Sequence, residues 1–335
     1  MAKTNSAAEG YVLPFEKPIM HLQRQIAELE ASQVQAGRDY SSEIRQLRSQ
    51  FVSLLKKTYQ NLSAWETVQV ARHPARPLAS DYIETMAKNF VELHGDRRYA
   101  DDKAIRCGLA RVGTEKVVLV AQQKGRDTRE KIACNFGCAH PEGYRKALRA
   151  MRLGEKFHLP IVCLIDTQGA YPGIGSEERG VAEAIAVNLM EMSRLRTPIV
   201  CVVIGEGGSG GALGIGVGDR IAMLEYAFYS VISPEGCAAI LWRTGEKAPE
   251  AAQAMKMTAR DLKALDVIDD IVPEPLGGAH RNPAESAHNL ERHIVRTLRE
   301  LKRIDPEAIL KHRYERWRRM GKVIRVEGSP SADQA

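Results

Sequence analysis

The chain has 335 residues, 44% of them hydrophobic and 27% charged, with a formal net charge of +6. This balance supports a folded core and excludes the apolar-poor, highly charged composition of a disordered chain. The small positive excess favours anionic ligands without implying nucleic acid, and no segment approaches the ~20 consecutive apolar residues that span a bilayer.

Ile19, Leu22, Ile26 and Leu29 recur at spacings of three and four, and so do Ile44, Leu47, Phe51 and Leu54. Each set forms one face of a helix, so two amphipathic helices with a polar connection at 32–42 are expected to form a helical hairpin. Pro74 and Pro77 resist helix and favour extended chain. The expected organisation is a hairpin with linker over 1–77, a main domain over 78–325 and a disordered tail over 326–335.

A helix over 81–93 is expected to lead into the main domain. The β-branched runs at 117–121, 161–165 and 199–204 suit buried strands. Residues 176–195 read as one helix, capped by Ser176 and buried along Val181, Ile185, Leu189 and Met192. Residues 287–317 are helical by pattern. Strand, glycine turn and helix in repetition define an α/β fold.

Six cysteines are scattered. Cys163 and Cys201 lie inside apolar runs and read as reduced, buried thiols. Cys134 and Cys138 form a C-x3-C with no second pair, so no metal site is expected. The N-terminus has no apolar leader segment. A cytoplasmic location is therefore expected.

Two glycine-rich turns carry the chemistry. GEGGSGGALGIG at 205–216 follows a buried strand and places six glycines in ten residues. Glycine there lets the backbone approach a ligand, with peptide N–H groups available to a developing negative oxygen. DTQGAYPGIG at 166–175 also follows a strand, and the two turns could frame one site at the same end of a sheet. Asp166 in this second turn reads as a loop cap more than a base.

The first turn also satisfies G-x-G-x-x-G, with Glu225 twenty residues past Gly205, so a dinucleotide-binding unit is an alternative on pattern alone. The extra glycines Gly208 and Gly211 argue against it. A phosphate-binding P-loop fails because no Gly-Lys-Ser/Thr follows, and no G-x-S-x-G elbow is present. Ser209 reads as a small turn residue. A site of backbone donors without a side-chain nucleophile suits stabilisation of a delocalised anion.

The strings KGRDTREKI (124–132), PEGYRKAL (141–148), GAYPG (169–173), EERG (177–180), GEGGSGG (205–211), VGD (217–219), SVISPEGC (230–237) and IVPEPLGGAHRNP (271–283) make the chain resemble the carboxyltransferase alpha family of multi-subunit acetyl-CoA carboxylase. The likeness covers roughly residues 15–320. It implies a crotonase-like (ClpP/crotonase superfamily) fold of repeated β-β-α units with an N-terminal helical hairpin. It also implies a beta-subunit partner in an α2β2 assembly, working with biotin carboxylase and the biotin carboxyl carrier protein. The implied reaction moves the carboxyl group of carboxybiotin, held on the carrier, to acetyl-CoA to give malonyl-CoA for fatty acid synthesis. Zinc would belong to the beta partner alone.

By the same resemblance, Gly210 and Gly211 form a backbone oxyanion hole for the ureido oxygen of biotin, and the beta chain holds the thioester enolate. Gly207, Gly208, Ser209, Gly169, Ala170, Tyr171, Pro172 and Gly173 would bind substrate. Lys124 and Arg126 could meet CoA phosphates or the transferred carboxylate, or be part of a solvated charged loop with Arg129 and Lys131. His280 and Arg281 could line the site or simply form a turn. Gln168 stands where the family usually has proline, and Cys134, Cys138 and His140 depart from its pattern too.

Two other functions stay open on sequence. One is a stand-alone crotonase-like acyl-CoA hydratase or decarboxylase. The other is a nucleic-acid-binding role for the segment 311–325, which has seven Lys and Arg residues against one acidic residue and includes Tyr314 and Trp317.

Overall fold

A computed structural model describes residues 11–321. The expected tail at 326–335 lies outside the described residues. The chain opens with α1 (Lys17–Ala36), α2 (Ser41–Gln60), α3 (Ala64–Ala71) and α4 (Ala79–Met86). Strands β1 (Ala87–Glu92), β2 (Ile105–Val112) and β3 (Glu115–Gln122) follow, then α5 (Thr128–Ala133), α6 (Pro141–Lys156) and β4 (Ile161–Thr167). Next come α7 (Ile174–Glu178), α8 (Val181–Arg194), β5 (Ile199–Gly208), α9 (Ser209–Leu213), β6 (Arg220–Leu224) and β7 (Phe228–Ser230). The last elements are α10 (Pro234–Trp242), α11 (Ala248–Met255), α12 (Ala259–Ala264), β8 (Asp270–Val272), α13 (Pro283–Leu301) and α14 (Pro306–Arg318).

Among the described residues the strands form one sheet in the order β1-β2-β3-β4-β5-β6-β8, with β7 paired to the end of β5. β1, β2 and β3 are antiparallel neighbours, and every pairing from β3 onward is parallel. β4 and β5 are buried at every position, as expected for parallel strands covered by helices on both faces. The three apolar runs expected as strands are β3, β4 and β5.

Three helices differ from their expected extents. The expected helix at 81–93 stops at Met86, and residues 87–92 form the edge strand β1 on β2. Local pattern loses here to an open ladder: Gly108 of β2 has no Cβ, and one placed there would lie 2.2 Å from the Val91 carbonyl oxygen. The expected helix at 176–195 is broken at Gly180, whose φ of 75° suits glycine. Ser176 is therefore no cap; it is buried in α7 with its hydroxyl 2.8 Å from His140 Nδ1. The helical stretch at 287–317 divides at 302–305, where Asp305 accepts from the Glu307 N–H and starts α14.

The hairpin of α1 and α2 is anchored to the body by an apolar cluster that joins Ile19, Leu55 and Tyr59 to Val70 and Tyr226, and by one buried carboxylate. Glu16 accepts from Tyr59 Oη and from Arg281 Nη2, both at 2.8 Å. His280 and Arg281 thus serve this anchor and not the glycine turns. The His73 and His280 rings stack at 4.0 Å, and Glu16, His73 and His280 place ligand-type atoms within 4.8 Å of one another. A cation there would compete with the guanidinium already on Glu16, so the donor set suits a protonation-sensitive anchor.

Burial, followed by the neighbouring His280, lowers the His73 pKa to about 4, below the ordinary 6.5. The unfolded chain then takes up a proton at a pH where the folded chain does not, so stability declines as pH falls from the ordinary histidine range towards 4. The expected loss is about 2 kcal/mol between pH 7 and pH 5. Urea midpoints at the two pH values should show it, and His73→Gln should remove most of the difference. An unchanged pH difference in that variant would contradict the assignment.

Candidate active site

β4 and β5 build the site at their C-terminal ends. Their register runs in step through Ile165 and Val203, then jumps so that Thr167 faces Gly207. The extra residues of β5 form a bulge that bends the strand onto β7, which pairs Glu206, Gly207 and Gly208. Buried hydrogen bonds hold the bulge. Arg76 Nε and Nη2 donate to the Ile204 carbonyl at 3.0 and 2.9 Å, and Asp166 Oδ1 accepts from the Glu206 N–H at 2.9 Å. Gly205 is required for that last contact, since a Cβ would stand 2.6 Å from Asp166 Oδ1.

The two glycine turns meet. A Cβ on Gly208 would lie 2.1 Å from the Gln168 carbonyl oxygen, and one on Gly211 would lie 2.3 Å from the Gly169 carbonyl carbon. Gln122 joins the turns from below: its Oε1 accepts from the Asp166 N–H at 3.1 Å, and its Nε2 donates to the Gly211 carbonyl at 2.8 Å. The chain turns into α9 at Ser209, which is itself left-handed with φ 51°. A non-glycine residue held there stores local strain of the kind found at functional sites.

α9 begins at this bend, and its first N–H groups have no preceding helical turn to donate to. Among the described residues, neither Gly210 nor Gly211 donates its N–H to a protein acceptor. Both line a cavity of about 780 Å3 together with Ser209 and the opposite turn's Gly169, Ala170, Tyr171 and Pro172. Gly207, Gly208 and Gly173 lie outside that lining, because the first two are spent on strand pairing and turn contact.

Lys124 and Arg126 also lie outside it. Lys124 Nζ pairs with Asp166 Oδ1 and Glu206 Oε2, both at 2.8 Å. Burial works against its charge, and the two carboxylates outweigh that and raise its pKa. Arg126 pairs with Asp81. Lys124 is thus structural in the isolated chain, where it fixes the bulge.

Sequence reasoning missed Arg72, Glu206 and Glu235. Arg72 holds Glu206 at 2.7 Å and Glu235 at 2.6 Å, and all three line the cavity. Burial raises the Glu206 pKa, and Lys124 and Arg72 more than reverse that, so it stays an anion. Its one legible sign was a lone carboxylate in an otherwise apolar and glycine run. Val231 and Ile232, ahead of α10, supply an apolar wall.

The alternatives fare less well. The dinucleotide motif does not lead into a nucleotide-binding helix, since α9 has only five residues. In the basic C-terminal segment, Arg313 is buried on Asp219 at 2.8 Å and Arg316 pairs with Asp269 at 3.0 Å. Two of its seven basic residues therefore hold the fold together. Among the described residues no helix is long and apolar enough to cross a membrane.

This mixed sheet, with two glycine turns meeting at a shared cavity, is a crotonase-like fold. The P. aeruginosa geranyl-CoA carboxylase beta subunit shares it at TM-score 0.52 and 18% identity, over 76% of this chain and 45% of that one. Transcarboxylase 12S shares it at TM-score 0.51 and 22% identity, over 64% of this chain and 41% of that one. Both likenesses show the fold alone.

Residues 12–321 match the family described as acetyl co-enzyme A carboxylase carboxyltransferase-like. The acetyl-coenzyme A carboxylase carboxyl transferase subunit alpha of Methylococcus capsulatus is 57% identical over 91% of this chain and 95% of its own length. The protein of that name from Rhodopirellula baltica is 52% identical over 93% and 98%. The chain belongs to the acetyl-CoA carboxylase carboxyltransferase alpha-subunit family.

Proposed function

We propose that this chain, paired with a carboxyltransferase beta subunit, holds biotin while its carboxyl group passes to acetyl-CoA. Carboxybiotin, brought by the biotin carboxyl carrier protein after biotin carboxylase has charged it, would supply the activated carboxyl group. The observation that carries the reading is the pair of acceptor-free N–H groups at Gly210 and Gly211, two residues that line the cavity together with Tyr171, Pro172, Val231 and Ile232. Negative charge developing on the ureido oxygen as the carboxyl leaves would be met by both donors. Such donors act in the transition state more than in the ground state, which is what acceleration requires.

Tyr171 and Pro172 would flank the bicyclic ring, and Ser209 would set the bend that aims the amides. Glu206, held by Lys124 and Arg72, would keep the bulge rigid. The thioester of acetyl-CoA would be bound chiefly by the beta chain, in which the zinc would also reside. The two carboxylates that line the cavity, Glu206 and Glu235, are both paired with Arg72, which favours this division over a stand-alone hydratase with a free carboxylate base.

The test is malonyl-CoA decarboxylation with biocytin as the carboxyl acceptor, run on this chain alone, on the beta chain alone and on their mixture. Turnover is expected in the mixture only. Turnover by this chain alone would point to the stand-alone enzyme.

A further inference from the structure

Among the described residues, Tyr171 is the one aromatic side chain that lines the site cavity. Two neighbours hold its ring. The His140 ring packs against it, with centroids 4.3 Å apart and planes tilted by 46°. The backbone of Gly173 passes close to it as well: a Cβ there would stand 2.3 Å from Tyr171 Cε1 and 3.1 Å from Cδ1. Gly173 has a φ of −85°, which any residue adopts, so glycine at this position makes room for the ring and does not serve a special backbone shape.

His140 is itself fixed. Its main-chain N–H donates to Asp102 Oδ2 at 2.7 Å, and its Nδ1 lies 2.8 Å from Ser176 Oγ and 3.4 Å from Arg179 Nη2. A guanidinium can only donate, so Nδ1 is the acceptor and the Ser176 hydroxyl also donates to it. Asp102 and Ser176 are buried, and Arg179 is tied to Glu142 at 2.9 Å. The main chain adds a further link, because the Tyr171 N–H donates to the Ala139 carbonyl at 3.0 Å. Tyr171 is 36% exposed. A side chain that open to solvent samples several staggered rotamers unless its neighbours block them, and a ligand that must select one of them binds more weakly.

We infer that His140 and Gly173 are positioning residues, which hold Tyr171 in the orientation that receives the bicyclic ring of biotin before it arrives. The inference rests on the proposed function, in which Tyr171 flanks that ring. His140 and Gly173 both lie outside the cavity lining, so they act through Tyr171.

The test is steady-state malonyl-CoA decarboxylation by the assembled alpha–beta complex, with biocytin varied as the acceptor. His140→Asn keeps an acceptor for Ser176 and removes the ring. It is expected to raise the KM for biocytin at least ~3-fold, the effect of leaving one side chain for the ligand to order. Its kcat and its KM for malonyl-CoA should stay within ~2-fold of the parent values, and its melting temperature should not change. His140→Phe keeps the ring and strands the buried Ser176 hydroxyl, so it should melt lower while the biocytin KM stays near that of the parent. Gly173→Ala should raise that KM as His140→Asn does, because the ring has to move. In a Tyr171→Ala background, His140→Asn should add nothing further. A parent complex without biocytin-dependent turnover would overturn the proposed function and this inference with it. Parent turnover with a biocytin KM that His140→Asn leaves unmoved, or an undiminished shift in the Tyr171→Ala background, would overturn this inference alone.

Discussion

Replacing Gly211 with valine is expected to lower biotin-dependent turnover of the assembled enzyme at least ~100-fold, the usual effect of losing one oxyanion donor. The cause is geometric. A Cβ at this position would lie 2.3 Å from the Gly169 carbonyl carbon, 2.5 Å from the Ala170 nitrogen and 2.7 Å from the Gly169 oxygen. All three are backbone atoms, so no side-chain rotation relieves the clash and the two turns must part. Parting them breaks the Gln122 bridge to the Gly211 carbonyl and re-aims both N–H groups. Overpacking of this kind costs roughly 1–3 kcal/mol, so the variant should still fold. Gly210→Ala is the matched control: its nearest neighbour would be Ile185 Cδ1 at 3.9 Å, and its melting temperature should equal that of the parent. Melting curves with the decarboxylation assay separate the two effects. Normal turnover by a folded Gly211→Val complex would place the donors elsewhere.

The largest expected loss of stability comes from Arg76, which is 4% exposed. Its guanidinium meets Glu274 through two bonds of 2.6 and 2.9 Å and caps the Ile204 carbonyl of the β5 bulge. Arg76→Met leaves Glu274 charged and buried, with only the N–H groups of Tyr226 and Ala279 still donating to it. Breaking a buried pair from one side costs about 3–5 kcal/mol. Removing both charges in Arg76→Met with Glu274→Met should recover a large part of that loss, because two desolvated charges disappear together. Urea denaturation of the single and double variants measures the coupling. A double variant no more stable than Arg76→Met would show that the Ile204 cap, and not the ion pair, is what Arg76 provides.

Three of the eight strands and both glycine turns were legible in the sequence because their signals are local. Continuous β-branched runs mark β3, β4 and β5, and clustered glycine marks positions where backbone must pass backbone. The meeting of the two turns could only be guessed, since it depends on the register jump between Thr167 and Gly207. The ion cluster was hidden for the same reason. Arg72 and Lys124 reach Glu206 across 134 and 82 residues, and the charged string around Lys124 reads equally well as a ligand site or a solvated loop. The misread helix at 81–93 and the unbroken helix at 176–195 share one lesson. An open β2 edge and a single left-handed Gly180 override periodicity, and neither is visible in a window of neighbours. His73 carried no local signal at all, because its role depends on what distant segments bring to it.

The most direct measurement is a crystal structure of the alpha–beta complex with biotin or biocytin bound. The ureido oxygen should lie at ordinary hydrogen-bond distance, ~3 Å, from the Gly210 and Gly211 nitrogens, with the ring beside Tyr171. Ureido density placed against other donors, with these two amides facing only solvent, would contradict the account.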